Sequence, residues 1–586
     1  MAVNRPDLSR RARGGPVSRT HEGSLAGSTT AGRPRGGAGD DDVFPGRSLL
    51  PVTASWWTSI LVAVGASLMI AVSMAEMAAE IGNASIWVWI ATAVVGALQC
   101  LLIAELASRF TGRAGGTAQF AYRATSKGSP TLGALSSWAY WFAWTPGIAV
   151  NLILAATYLK SLFWPSGNVI LLAVLIGIAL YFVTALGLRL STMVNAALAV
   201  VALGVVLVVV LTPVFHPDSF DVARVLPTQL PEDAPTGGWG VVGIILKWTF
   251  IATWAAYAAE MASTVCAEIK RPEKYMKRVM SISAGIAIVA FTLVPVSMFG
   301  VVGVEGLQRD PFTVFAEIGG ITFGPAGEYV VGLGLAAVLV LGAEIFIIGS
   351  SRTIHQMAQD GHLPKLFGKM NKRGAPVGSI MGDAAVIMIM LVVFGTEVVS
   401  VVAAATFGYL VVFVLLPIAY LTLRRYRRDD DGGFRLGRAF AGVAVCLFLF
   451  NAALLVFGGL QWGVEVIVVG LGVTLAVIPI SYFTRRSRAR AAVRAGARTD
   501  PATGRPGRGA PSRGRVSRRP GPGAATRRAR GSGSPRWAVG RPSPRARTSA
   551  PPSASSRCRS PPCAPAAAPP RRRRGTCPCR GSTAGR

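Results

Sequence analysis

The stretch WTFIATWAAYAAEMASTVCAEIKRPEK, Trp248–Lys274, decides how the chain is read. It opens as an apolar helix, carries Glu260 deep inside the apolar run, and ends in a basic loop marked by Lys270, Arg271 and Pro272. A carboxylate at that depth is costly unless it faces a cavity, a partner or a proton path. The stretch therefore points to a membrane helix with a polar function, and to an inward-facing end where its cations lie.

Composition agrees. The 586 residues are 51% hydrophobic and only 15% charged, against about 25% charged in ordinary globular domains. The net charge of +32 resembles that of a nucleic-acid binder until it is divided along the chain. Residues 484–586 carry 27 Arg and one acid, Asp500, whereas residues 51–483 carry 25 Lys/Arg against 22 acids. The basicity belongs to the tail, so no nucleic-acid partner is expected of the apolar body.

Apolar runs of about 20 residues span a bilayer. Such runs are expected near 54–74, 84–107, 135–159, 168–187, 192–214, 241–266, 279–303, 328–350, 378–396, 398–423, 439–459 and 463–482. Twelve spans place both termini on one side. The alternate loops on that side carry 21 Lys/Arg, while the opposite loops carry Lys160, Arg224 and Arg309. By the positive-inside rule both termini are cytoplasmic. The expected product is an all-α, multi-pass protein of the cytoplasmic membrane.

The ends differ from this body. Residues 1–50 are Arg-, Gly- and Ser-rich with no apolar h-region, so they read as a disordered cytoplasmic arm and not a signal peptide. Residues 484–586 are rich in Arg, Pro, Ala, Gly and Ser, and read as a disordered tail. That tail is taken as a solvated extension ahead of one that touches anionic lipid. Cys558, Cys563, Cys577 and Cys579 fit no zinc pattern, and Cys100, Cys266 and Cys446 lie in apolar runs. The four histidines, His21, His216, His355 and His362, lie in ends or loops. No metal site, catalytic site or cofactor is expected.

Three further motifs sharpen the reading. AELASRFTGRAGG (Ala104–Gly116) closes the second span. AAEMASTVCAEIKRPEK (Ala258–Lys274) closes the sixth, and SSRTIHQMAQDGHLPKLFGKMNKRGAP (Ser350–Pro376) follows the eighth. Together, in this order and on one side of the membrane, they resemble the amino acid–polyamine–organocation transporters over roughly residues 50–480. That family shows AELxSxFPxxGG, a GFE followed by ExKNP, and SRxxxxMAxDGxLPK at these places.

The resemblance implies a five-plus-five inverted repeat with discontinuous helices 1 and 6, plus two extra helices. Broken helices expose backbone groups near the midplane, and half-helix N-termini suit a substrate carboxylate. It implies substrate contacts at Val64, Gly65, Ala66 and Ser67 in helix 1, and at Trp254 and Tyr257 in helix 6. Glu260 stands at the family's GFE glutamate and is the candidate for coupling. Ala258 and Ala259 replace Gly and Phe, and alanine resists unwinding more than glycine does. At about the position where some relatives carry a coupling lysine, this chain has Ala202, so Na+ coupling, H+ coupling through another group and ion-free exchange stay open.

Among the other intramembrane ionisable residues, Glu344 is expected to face the site and to bind a cationic group or carry a proton. Glu105 is expected to be structural, Lys247 to snorkel, and the aromatics of the third span, Trp138, Tyr140, Trp141 and Trp144, to be interfacial anchors. The expected function is secondary transport of an amino acid or related amine by alternating access, as symport or exchange. The alternatives are a polyamine or organocation transporter of the same fold and a membrane sensor that binds substrate without moving it. The partners expected are a small-molecule substrate and membrane lipid; nothing in the sequence sets an oligomeric state.

Overall fold

The computed structural model describes residues 50–496 apart from 53, 68–72, 127, 236, 310–313, 394–397 and 426–433. All of the expected N-terminal arm (1–50) but its last residue, and all of the tail beyond Gly496, lie outside the described residues. Within them the fold is all-helical, with no strand beyond one isolated bridge, Ala54 to Ile269.

The first expected span, 54–74, holds α1 (Trp56–Ser67), and α2 (Met74–Ile81) begins at its last residue and runs on beyond it. Next come α3 (Ala84–Arg109), the short α4 (Ala118–Thr125), α5 (Pro130–Phe163), α6 (Val169–Ala185) and α7 (Leu188–Phe215). The second half holds α8 (Gly238–Ala256), α9 (Pro272–Arg309), α10 (Val314–Phe323) and α11 (Pro325–Gln359). The last five are α12 (Val377–Val393), α13 (Val398–Arg425), α14 (Phe440–Ala453), α15 (Val464–Leu475) and α16 (Val477–Gly496). Among the described residues, nine helical spans are long and apolar enough to cross a membrane, while α6, α10 and α12 are apolar but shorter. The α10 helix was not anticipated.

Local chemistry sets several boundaries. Ser129 caps α5 by accepting from Leu132 N, with Pro130 in the first turn where its missing N–H costs nothing. Asn168 caps α6 by accepting from Leu171 N. The last helix does not stop at 483, where the tail was expected to begin, and continues to Gly496. Its extension, RRSRARAAVRA, is built from good helix formers. Arg488 holds it in place by donating to the carbonyls of Ala358 (2.9 Å) and Leu363 (2.5 Å).

The core is laid around two helix pairs. Helix α11 lies along α5, and α3 along α9, while α1 packs on the segment that follows α8. The outward sides of α7, α14 and α15 keep large apolar side chains exposed, such as Val200, Leu449 and Val464. A bilayer rather than water covers such faces at no cost.

Candidate functional site

The site begins where α8 ends. The α-helical pattern stops at Ala256, and residues 258–263 and 266–268 continue as 3-10 turns. Within them Glu260 N bonds Tyr257 O and Thr264 N bonds Met261 O, both three residues back. Ile269 is extended and bridges to Ala54, just before α1: Ala54 N donates to Glu268 O and Lys270 N to Ala54 O. Local propensity does not explain this. Ala-Ala-Tyr-Ala-Ala is a strong helix former, so contacts from elsewhere must hold the 3-10 turns.

Those contacts converge on Glu260. Tyr140 of α5 donates its hydroxyl to one carboxylate oxygen at 2.7 Å, and Tyr409 of α13 reaches the same oxygen at 3.5 Å. Thr117, in the connection before α4, donates to the other oxygen and lies 3.5 Å from Ser263 Oγ. Glu260 is fully buried, and three separate parts of the bundle supply the donors a carboxylate needs there.

Beside it lies a closed aromatic cluster. Trp144 meets Trp254 (ring centroids 5.8 Å), Phe346 (4.8 Å) and Tyr409 (4.7 Å), and Trp254 meets Phe346 at 5.6 Å. Trp254 donates its indole N–H to Ala143 O, and Tyr257 its hydroxyl to Asn451 Oδ1. Two glycines make this approach feasible. A Cβ on Gly147 would sit 2.5 Å from the Trp254 ring, and one on Gly96 2.8 Å from Ala256 O, at the end of α8. Only a residue without a side chain lets α5 and α3 come that close.

The expected residues fare differently. Trp254, Tyr257 and Glu260 are brought together, and α1 lies against the 258–263 turns. The side chains of Val64, Ala66 and Ser67 lie outside the described residues. Gly65 is buried where a Cβ would overlap Ile345 and Leu341 of α11, so its lack of a side chain is required by close packing of α1 on α11. Glu344 is not part of this cluster. It accepts from Thr184 of α6 and Ser191 of α7. With Ile345 turned to α1 and Phe346 to the aromatic cluster, the helical step carries position 344 to another side of α11.

The third-span aromatics depart most from expectation. Tyr140 and Trp144 are fully buried at the centre. Trp141 points its N–H at Asp383 of α12, which also accepts from Thr145, Tyr181 and Ser350. Four donors from α5, α6 and α11 surround that one carboxylate. Lys247 does not reach out alone; it pairs with Glu80 of α2. Glu105 does tie elements together, accepting from Tyr420 of α13 and from Leu436 N. Among the described residues no three His, Cys, Asp or Glu side chains group as a metal site.

The basic end of the bundle is closed by two ion pairs. Arg352 of α11 binds Glu268 at 2.5 Å, both nearly fully buried. Arg113 binds Asp360 with both of its oxygens. His362, beside Asp360, bridges Tyr122 and Ser481. Burial, followed by the nearby Arg485, Arg488 and Arg113 guanidiniums, pushes the His362 imidazole down to about 4. It is neutral at neutral pH, and one ring nitrogen donates while the other accepts.

Comparisons with known proteins place the chain in a family. A family model described as amino acid permease covers residues 55–478. The uncharacterized amino acid permease YvbW of Bacillus subtilis is 23% identical over 50% of this chain and 66% of that protein, just short of two-thirds. The D-serine/D-alanine/glycine transporter of Escherichia coli is 25% identical over 56% of this chain and 72% of that protein. Among solved structures, the Eremococcus coleocola manganese transporter aligns with a TM-score of 0.49 at 16% identity, covering 76% of this chain and 98% of that one.

Proposed function

Because the chain belongs to the amino acid permease family of the amino acid–polyamine–organocation superfamily, we propose that it is a secondary active transporter of amino acids or related amines, working by alternating access. The family consists of permeases and not enzymes, and its members are multi-pass membrane proteins. We place both termini in the cytoplasm on the loop charges, and read the helices as a five-plus-five inverted repeat with two extra helices, α1/α2 and α8 with its 3-10 turns being the discontinuous pair.

The observation that carries the proposal is the end of α8. An α-helix stops in the middle of a span, its following turns are held by a buried carboxylate, and α1 packs on those turns. Unwound backbone inside a membrane is tolerated where it lines a substrate path. In this reading the backbone of residues 64–67 takes the carboxylate of an amino acid, and Trp254 and Tyr257 close over its side chain. Glu260 couples the turns to α5 and α13 through Tyr140 and Tyr409.

The proposal is tested by uptake of labelled amino acids and polyamines into vesicles holding the purified chain, with and without a proton or sodium gradient. Saturable uptake of at least one of them is expected. Saturable binding without uptake makes the chain a sensor, and uptake of polyamines alone moves it to the alternative substrate class. For transport coupled to H+ or Na+, we assign the carrier of the ion to Glu344, a buried carboxylate facing two hydroxyls away from the substrate cluster. Glu344→Gln is expected to lower gradient-driven uptake about tenfold or more while sparing exchange of substrate for substrate. Equal gradient-driven uptake in the variant removes Glu344 from the coupling.

A further inference from the structure

We propose that the groove between the start of the C-terminal extension and the loop after α11 binds the headgroup of one anionic phospholipid. The groove has a volume of about 690 Å³ and is lined by Pro364 and Lys365 on one wall and by Phe483, Thr484, Ser487, Arg488 and Ala491 on the other. Two cations and two hydroxyls therefore share one concavity with an aromatic ring. A phosphodiester needs charge-assisted donors, and an acyl chain needs an apolar exit beside them.

Three observations favour lipid. Charge comes first: neither residues 361–376 nor residues 477–496 contain an acid. The carboxylate just before the loop, Asp360, is already bound to Arg113. An anion entering the groove meets only positive charge. Position comes second. Along α16 the sequence passes from VIPISYF to TRRSRAR within two residues, and Tyr482 and Phe483 are 57% and 66% exposed. Aromatics followed at once by arginines mark headgroup depth. Rigidity comes third. Arg488 bonds the carbonyls of Ala358 and Leu363, and Ser481 bonds His362, so the two walls are fixed to one another before any ligand arrives.

The inference uses the transporter reading only to place this end of the bundle in the cytoplasmic leaflet. The wider array of arginines beyond the groove attracts any anionic surface diffusely; the proposal is one retained lipid at one place.

The test is native mass spectrometry of the full-length chain released from mixed phosphatidylglycerol and phosphatidylcholine, a readout that does not depend on transport. The parent chain is expected to retain one phosphatidylglycerol with a preference on the order of tenfold over phosphatidylcholine, given two cations in the groove. Lys365→Glu with Ser487→Glu reverses the sign of the groove while leaving the Arg488 bonds in place, and should abolish the preference. Arg486→Gln with Arg490→Glu makes the same change of charge outside the groove and should keep it. If the first double variant does not fold, Lys365→Gln on an exposed side chain carries the same comparison. No preference in the parent, equal loss in both double variants, or displacement of the lipid by millimolar inorganic phosphate overturns the proposal. A chain that retains the lipid but moves no amino acid leaves the lipid site standing and refutes the transport reading instead.

Discussion

Replacing Glu260 by Gln should cut amino acid uptake by about 100-fold or more while leaving the thermal midpoint of the purified protein within a few degrees of the parent. The two effects separate because the amide fits the same partners. Its oxygen accepts from Tyr140 and its NH2 donates to Thr117 Oγ, whose proton turns to Ser263 Oγ, so neither hydroxyl is left unpaired. What the amide cannot do is form bonds of charge-assisted strength, which exceed neutral ones by roughly twofold. Weakening two such bonds by about 1.5 kcal/mol each corresponds to roughly 100-fold in the equilibrium that the carboxylate biases. Glu260→Leu is the contrasting variant. It strands the buried Thr117 and Tyr140 hydroxyls, at about 1–3 kcal/mol apiece, and should lower the thermal midpoint as well as uptake. Parental uptake by Glu260→Gln would reduce the carboxylate to a structural tie.

A second large effect is expected at the basic end. Arg352→Gln leaves Glu268 buried without its cation, and breaking a buried pair in this way costs about 3–5 kcal/mol. Glu268 is also the residue whose carbonyl receives Ala54 N, so the pair fixes the entry to α1 as well as the end of the α8 turns. Two outcomes follow. The thermal midpoint falls by several degrees and is at least half restored in the Glu268→Gln, Arg352→Gln double variant, because no unpaired charge then remains. A cysteine placed at Ala54 is labelled by a water-soluble thiol reagent about tenfold faster in the Arg352→Gln background, as the start of α1 is released. Unchanged labelling would show that the pair stabilises α11 without closing this end.

Much of the architecture was legible because it rests on local pattern. Apolar runs at bilayer length mark the helices, and an acid within one of them, Glu260, announced a polar centre. Its partners were not legible. Tyr140, Thr117 and Tyr409 lie more than a hundred residues away in sequence, and nothing near position 260 encodes them. For the same reason the interruption of α8 is invisible in Ala258 and Ala259. Side chains from α5, α13 and the 117 loop overrule a local preference worth only tenths of a kcal/mol per residue.

From sequence Trp144 and Tyr140 read as interfacial because an aromatic-rich helix looks alike in the centre and at the border of a membrane. Gly147, one turn from Trp144, was the available signal: a glycine there makes room for a large ring from another helix. No helix phase for Glu344 can be read from its sequence neighbours alone. Once Ile345 faces Gly65, residue 344 is committed elsewhere, but that contact is long-range too. Asp383, with its four donors, shows the same limit.

The central claim is that substrate crosses at the interruption of α8 beneath Trp254. It is tested most directly by counterflow, in which proteoliposomes loaded with unlabelled amino acids take up labelled ones without any imposed gradient. The account predicts saturable uptake in the parent chain, absent from protein-free vesicles and reduced about 100-fold by Glu260→Gln. A folded, monodisperse preparation with no counterflow for any amino acid or polyamine would contradict it.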